Sequence, residues 1–320
     1  MAAPFSSLDP VTGLLPAEHM VLLGRPFTHL EAVDAGITPR VLRRMVREGE
    51  VRRVLRGVYV DSATGDNLSL RSEALAKVLP RDAVVCDRTA AWLHGADILG
   101  PDGRLTVPPI EVFRTNGGSR IRRAGCAGGT RSLDLDRDIT EVNGILTTNP
   151  LRTALDLGRL LKRGEAIGAM DAMMRAGGFT REDLARELPR FKGARWVRQL
   201  RRLVPLVDGR SESPAESLTR LRLIDAGLPA PELQWKVCNA AGIVIYRLDL
   251  AYPGIMLAIE YDGEEFHTSA EQQARDEQRR ARLRRMGWTV VVLRRRHVYG
   301  ANATAAHLVL TEMRRLCPTN

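Results

Sequence analysis

Hydrophobic and polar positions alternate with two different periods along this chain, and the period changes mark its elements. Near the amino end the pattern is helical and short. Thr28-His-Leu-Glu31 is a capping box, in which a threonine and a glutamate three residues on satisfy each other's backbone amides, and the helix it opens ends at Gly36. Thr38-Pro39 then supplies a threonine cap and a proline at the first helical position, where its missing N–H is no loss. That second helix runs from Arg40 to Glu48 and stops at Gly49. Leu42, Met45 and Val46 form its apolar side, while Arg40, Arg44 and Arg47 share the opposite face with Arg43 beside them. Two short β segments follow, Val51 to Leu55 and Val58 to Val60, hinged at Gly57 and carrying Arg52, Arg53 and Arg56. Helix, tight turn, helix and β wing is the layout of a winged helix-turn-helix, whose second helix and wing would offer seven arginines to duplex DNA.

The middle of the chain mixes both periods. A helix is expected from Leu68 to Leu79, a short strand from Ala83 to Cys86, and a helix over Arg88 to Gly95. Strand-like pieces follow near 104–113, 119–123 and 139–147. Helices then succeed one another: one from Asn149-Pro150, one over Glu165 to Arg175, one capped by Thr180-x-x-Asp183, and one from Ala194 to Val207. Trp92, His94 and the Met170, Met173, Met174 cluster read as packing. Gly117-Gly118 and Gly128-Gly129 lie outside any phosphate-loop context, so no nucleotide is assigned to them.

Strict alternation returns after Ile243. The runs around Tyr246 to Tyr252 and Ile255 to Asp262 read as antiparallel strands, with Pro253-Gly254 as the turn. A two-residue loop would set Tyr252 against Ile255, Asp249 against Ala258 and Arg247 against Glu260. Asp249, Glu260 and Asp262 then share one face, with Asp249 and Glu260 diagonal neighbours. Tyr246, Leu248, Leu250, Ile255, Leu257, Ile259 and Tyr261 fill the other face, as a core would. Three carboxylates on one face repel unless something positive lies between them, either a solvated arginine such as Arg247 or a hard cation, Mg²⁺ or Mn²⁺. An Arg-rich helix follows, opened by Thr268-x-x-Glu271 and closed by Gly287; nine arginines and two acids lie between Arg275 and Arg296. Arg275, Arg279 and Arg282 are candidate phosphate contacts there. A strand from Trp288 to Leu293 and a helix from Ala301 to Leu316 complete the region.

Charge sharpens this picture. The chain of 320 residues has a net charge of +10, which suits nucleic acid or an anionic surface. No apolar run of about 18 uncharged residues predicts a membrane span, and the first twenty residues lack a signal-peptide pattern. Cys86, Cys126, Cys238 and Cys317 are scattered, which argues against a zinc ribbon or a disulfide scaffold and for a reducing cytoplasm, with the nucleoid as the expected place of a DNA-binding chain. The expected organisation is α/β and multidomain: a leader over 1–20, a winged helix-turn-helix over 21–62, a mixed α/β domain over 63–207, a polar linker over 208–214, and an α/β domain with a mixed sheet over 215–320.

Two stretches resemble known families. Phe27-Thr28, Ala35-Gly36-Ile37-Thr38, Leu42-Arg43-Arg44-Met45-Val46 and Gly57-Val58-Tyr59-Val60 resemble the N-terminal domain of AbiEi-type antitoxins of type IV toxin–antitoxin systems, and the middle region looks like a divergent form of the α/β domain that follows it there. Ser-Pro-Ala-Glu-Ser (213–217), Leu-Asp-Leu (248–250), Ile-Glu-Tyr-Asp-Gly (259–263), His267, Arg275-Asp276 and Gly287-Trp288 resemble the Vsr-like branch of the PD-(D/E)xK nuclease superfamily, with its restriction-endonuclease-like fold. That resemblance implies Asp249 and Glu260 as metal ligands, Glu216 and Asp262 in support, and His267 as an active-site group. Asp262 stands where the superfamily has its lysine, which leaves His267, Lys236 and Arg247 as alternatives for orienting the attacking water. Two readings follow: a DNA-binding protein with a metal-dependent endonuclease domain, or a non-catalytic DNA-binding regulator or antitoxin. DNA is the expected partner of both, with a homodimer and a cognate toxin as further candidates.

Overall fold

The computed structural model describes residues 22–80, 82–96, 98, 109–114, 126–127, 133–239, 241–263 and 270–317. They fall into two compact units, one up to Asp156 and one from Leu157.

In the first unit β1 (Phe27–Thr28) leads into α1 (His29–Asp34). The capping box forms as expected: the Thr28 hydroxyl accepts the Glu31 amide at 3.2 Å, and the Glu31 carboxylate accepts the Thr28 amide at 2.7 Å. Gly36, at φ +80°, turns the chain into α2 (Pro39–Glu48), which Gly49 ends at φ +77°. A left-handed residue there lets the Glu50 amide reach back to the Met45 carbonyl at 3.0 Å, closing the helix. β2 (Val51–Leu55) and β3 (Val58–Asp61) form a hairpin, and β1 pairs with β3, giving the order β1-β3-β2. Leu22, Phe27, Ala32, Ile37, Leu42, Met45 and Val51 form the core beneath, so α2 buries its apolar stripe while α1 buries Ala32 and leaves Leu30 and Val33 exposed.

α3 (Leu68–Ala76), β4 (Ala83–Val85), α4 (Asp87–Leu93), β5 (Ile110–Arg114), β6 (Cys126–Ala127), α5 (Leu135–Asp138), β7 (Ile139–Val142) and β8 (Ile145–Thr148) follow. Their sheet has the order β6-β5-β4-β8-β7 and is mixed, because β4 is antiparallel to β5 but parallel to β8. The strand expected at 119–123 and both glycine pairs lie outside the described residues. Trp92 is half-buried, with the Arg71 guanidinium 5.1 Å from its ring centre. The His94 ring nitrogen Nε2 contacts the Thr148 carbonyl at 2.8 Å, and burial lowers its pKa; both residues are packed as expected. α6 (Pro150–Leu160) begins in this unit. Its Arg152 is buried between Asp138 and Asp156, at 2.6 and 2.8 Å.

The second unit takes up α6 and continues with α7 (Arg163–Gly177), α8 (Arg181–Glu187), α9 (Val197–Leu203) and α10 (Pro214–Asp225). Met170 and Met173 are fully buried. Arg220 of α10 meets Asp171 of α7 at 2.6 Å, with both side chains buried. The polar stretch 208–214 runs inside this unit: Ser211 is buried, and the Asp208 amide donates to Asp171 at 2.8 Å. β9 (Glu232–Cys238), β10 (Val244–Tyr252), β11 (Leu257–Asp262), α11 (Ala270–Arg285), β12 (Thr289–Arg294), α12 (Arg295–Val298) and α13 (Ala305–Leu316) complete the chain. Their sheet has the order β12-β11-β10-β9, with β11 and β12 parallel and the remaining pairs antiparallel. Leu223, Leu250, Leu257, Ile259, Leu293 and Val309 build one core, and Ala251, Ala258, Leu283 and Trp288 a second.

Candidate functional site

Two clusters carry chemistry, one in each unit. In the first, α2 and the β2–β3 hairpin present charge because their apolar positions are used up in the core. Arg40, Arg43, Arg44 and Arg47 are all exposed on α2, and Arg53 and Arg56 on the hairpin. Arg44 holds Glu48 at 3.6 Å across an open helix face, and Arg53 lies 5.7 Å from the centre of the Tyr59 ring. Arg52 differs from its expected role. Its guanidinium donates to the Thr64 carbonyl at 2.9 Å and it is half-buried, so it ties the hairpin to the following turn. Pro39, Leu42, Val46 and Tyr59 line a concavity between α2 and the sheet, with Arg43 and Arg53 at its rim.

The second cluster gathers on the β9–β10–β11 sheet. Its register corrects the sequence expectation. Pro253 and Gly254 do not form a two-residue loop: Pro253–Ile255 make a 3₁₀ turn, and Met256 follows at φ +49°. Tyr252 therefore pairs with Leu257, Ala251 with Ala258 and Leu250 with Ile259. Carried one residue further, this register sets Asp249 directly opposite Glu260 instead of on a diagonal. A shift of two preserves the face, so Asp249, Glu260 and Asp262 still share one side. The Tyr261 amide points at Asp249 at 3.4 Å.

The positive charge on this face comes from α11, a contact the sequence reading missed. Arg279 reaches Glu260 at 2.9 Å, while Arg280 spans Glu260 at 3.7 Å and Asp262 at 3.3 Å. Arg279 also donates to the Arg247 carbonyl at 2.8 Å. It is thus held by protein groups and half-buried, whereas Arg275 and Arg282 are exposed. Arg247 itself pairs with Glu212 at 2.8 Å, not with Glu260. Glu216, in the first turn of α10, accepts from the Ser213 hydroxyl at 2.8 Å, the Glu212 amide at 2.9 Å and Gln234 at 3.0 Å. Burial raises the pKa of Glu216, Asp249 and Glu260. The Asp249 charge adds to the rise at both Glu216 and Glu260, so the three carboxylates sense one another. Arg279 acts in the other direction on Asp249 and Glu260.

β9, which supplies Gln234, was also missed. Its alternation of Leu233, Trp235 and Val237 was the available signal. His267 lies outside the described residues. Among the described residues, no three His, Cys, Asp or Glu side chains are grouped to hold a metal ion, and two arginines already engage Glu260. Asp249 and Glu260, the two carboxylates expected to hold Mg²⁺ or Mn²⁺, stand opposite each other with Arg279 against Glu260. Among the described residues, no helix is long and apolar enough to cross a membrane.

Comparison with known proteins places the first cluster in context. Residues 24–60 match the family described as "Transcriptional regulator, AbiEi antitoxin", and residues 83–206 match the "AbiEi antitoxin C-terminal domain". Among curated proteins the chain is similar to an uncharacterised protein of Mycobacterium tuberculosis, found in two strains. Each copy is 34% identical over 255 residues, covering 80% of this chain and 89% of the relative.

Proposed function

The chain belongs to the family of these mycobacterial proteins and carries the two AbiEi antitoxin domains, and from that premise we propose that it is a DNA-binding transcriptional regulator of the antitoxin type, acting at the nucleoid beside a cognate toxin. The observation that carries this reading is the agreement between the matched stretch 24–60 and the exposed arginines of α2. In this reading residues 21–62 are a winged helix-turn-helix. α2 enters the major groove while Arg53 and Arg56 on the hairpin reach flanking phosphates. Arg40, Arg43, Arg44 and Arg47 contribute phosphate contacts and base contacts from one helix face. The experiment is a fluorescence-anisotropy titration of the chain against duplexes tiling its own upstream region. Binding to one duplex at least about a thousandfold tighter than to the rest is expected of a specific regulator; uniform affinity for all duplexes overturns the reading.

A second reading is favoured by the buried carboxylates. The side chains of Glu216, Asp249 and Glu260 come from a helix and two neighbouring strands, as the Vsr-like resemblance implies, and burial raises the pKa of all three. In this reading the last third is an endonuclease-fold domain that acts on phosphodiesters, with His267 contributing a proton or a phosphate contact. A nicking assay on supercoiled DNA decides between a cutting and a purely binding domain. Cleavage lost in both Asp249→Ala and Glu260→Ala supports the nuclease. Cleavage that survives both substitutions, or no cleavage by the wild type, leaves the regulator as the reading.

A further inference from the structure

β12 is an edge of the second unit's sheet, and among the described residues its outer side has no partner strand. Edge strands with free backbone groups recruit other strands, so proteins usually blunt them with prolines, inward charges, bulges or short length. The opposite edge, β9, is blunted: Glu232 and Lys236 interrupt it, and Gln234 adopts φ +53°. β12 is not. Thr289-Val-Val-Val-Leu holds no charge before Arg294, contains no proline, and runs in unbroken register along β11.

This edge forms the floor of a groove of about 770 Å³. One wall carries Arg284 of α11, the other His307, Thr311 and Arg315 of α13, and His297 stands near the end of the strand. The valines are anchored on both sides: Val290 packs with Trp288 and Leu283, and Val291 with the other core. What remains exposed is a ribbon of alternating amide and carbonyl groups about 20 Å long.

We infer that this groove receives an extended acidic segment of a partner protein, which adds to β12 as a fifth strand. Two features select that occupant. The edge offers carbonyl acceptors as often as amide donors; a polypeptide strand satisfies both, whereas phosphates find nothing to accept from the carbonyls. The groove is also lined by two arginines, Arg284 and Arg315, against a single acid, Glu312. Arg284 pairs with Glu277 and Arg315 with Glu312, both at 2.7 Å on open surface, so an incoming carboxylate can exchange with either pair at little cost. A second copy of this chain would bring Arg284 and Arg315 against its own.

The test uses the full chain and a fluorophore-labelled octapeptide of alternating glutamate and valine, with a lysine-for-glutamate version as control. Anisotropy should show saturable binding of the acidic peptide that weakens with salt, together with slowed hydrogen exchange at β12 amides. The basic peptide should bind at least about tenfold more weakly, and Arg284→Glu with Arg315→Glu should weaken the acidic peptide by about tenfold together. Both substitutions lie on exposed helix faces, and an unchanged thermal transition verifies the fold. Equal binding of the two peptides, or none, overturns the proposal. So does protection of the β12 amides by duplex DNA or by self-association in place of the acidic peptide.

Discussion

Asp171 shows how a single buried group sets a pH dependence. It receives Arg220 and the Asp208 amide, yet burial outweighs them and pushes its carboxyl up to about 6. In the unfolded chain an aspartate titrates near about 4. As pH rises between these values the unfolded chain releases its proton first, so stability from this group is present below about 4 and lost by about 6. Urea unfolding at intervals from pH 4 to 7 should show wild type losing stability relative to Asp171→Asn across that window; parallel curves would mean that Asp171 stays ionised in the fold. Arg220→Met removes the opposing charge and should move the upper end of the window higher. Arg152 is a different case, one cation buried between two aspartates. Arg152→Met removes the cation that both aspartates share and should cost about 3–5 kcal/mol at neutral pH, read from the urea midpoint. The Asp171–Arg220 pair was not legible in the sequence, because the two lie 49 residues apart and nothing local says that they meet. The capping residues Thr28 and Thr38 were legible, because their partners lie three residues away.

Whole elements were readable where local chemistry decides them. α2 is bounded by a threonine–proline start and a glycine stop, and its apolar stripe identifies the face that arginine leaves free. Each phosphate that a helix neutralises contributes about −0.9 to the slope of log K against log salt. Replacing Arg40, Arg44 and Arg47 by alanine should therefore flatten that slope by up to about 3 and weaken DNA binding; an unchanged slope would move the interface elsewhere. Gly49→Ala tests the stop. Its Cβ meets open space, but φ +77° strains any residue with a Cβ, so a loss of about 1 kcal/mol is expected in thermal unfolding. α11 was readable as a helix but not as a partner. Its arginines looked like phosphate ligands because charge alone does not reveal which neighbour neutralises it. Arg279 and Arg280 are in fact turned onto Glu260 and Asp262.

At the scale of the molecule, the net charge of +10 lies almost wholly in the second unit, with 20 Lys and Arg against 19 Asp and Glu up to Asp156 and 28 against 19 beyond it. Arg275 and Arg282 remain exposed on the second unit when the α2 arginines are removed. The triple-alanine chain should therefore keep weak, salt-sensitive, sequence-independent DNA binding while losing discrimination between duplexes. A salt slope reduced to zero would show that the second unit does not touch DNA. The broad α/β character and the separate sheets were legible from the alternation of periods. The register in the last sheet was not, because Pro253-Gly254 has the composition of a tight loop while Ile255 and Met256 extend the turn.

That turn has a consequence beyond this chain. Because side chains alternate along a strand, the parity of the loop decides which face a carboxylate occupies, and its length decides which residue it confronts. Here the longer turn sets acid against acid. A two-residue loop at Pro253-Gly254, with Ile255 and Met256 drawn into the strand, would set Arg247 opposite Glu260 and replace a repulsive pair by a neutral one, with no residue changed. Loop length in this hairpin is thus a selector, and aligned relatives that keep every acidic residue can still differ in which of them stand face to face.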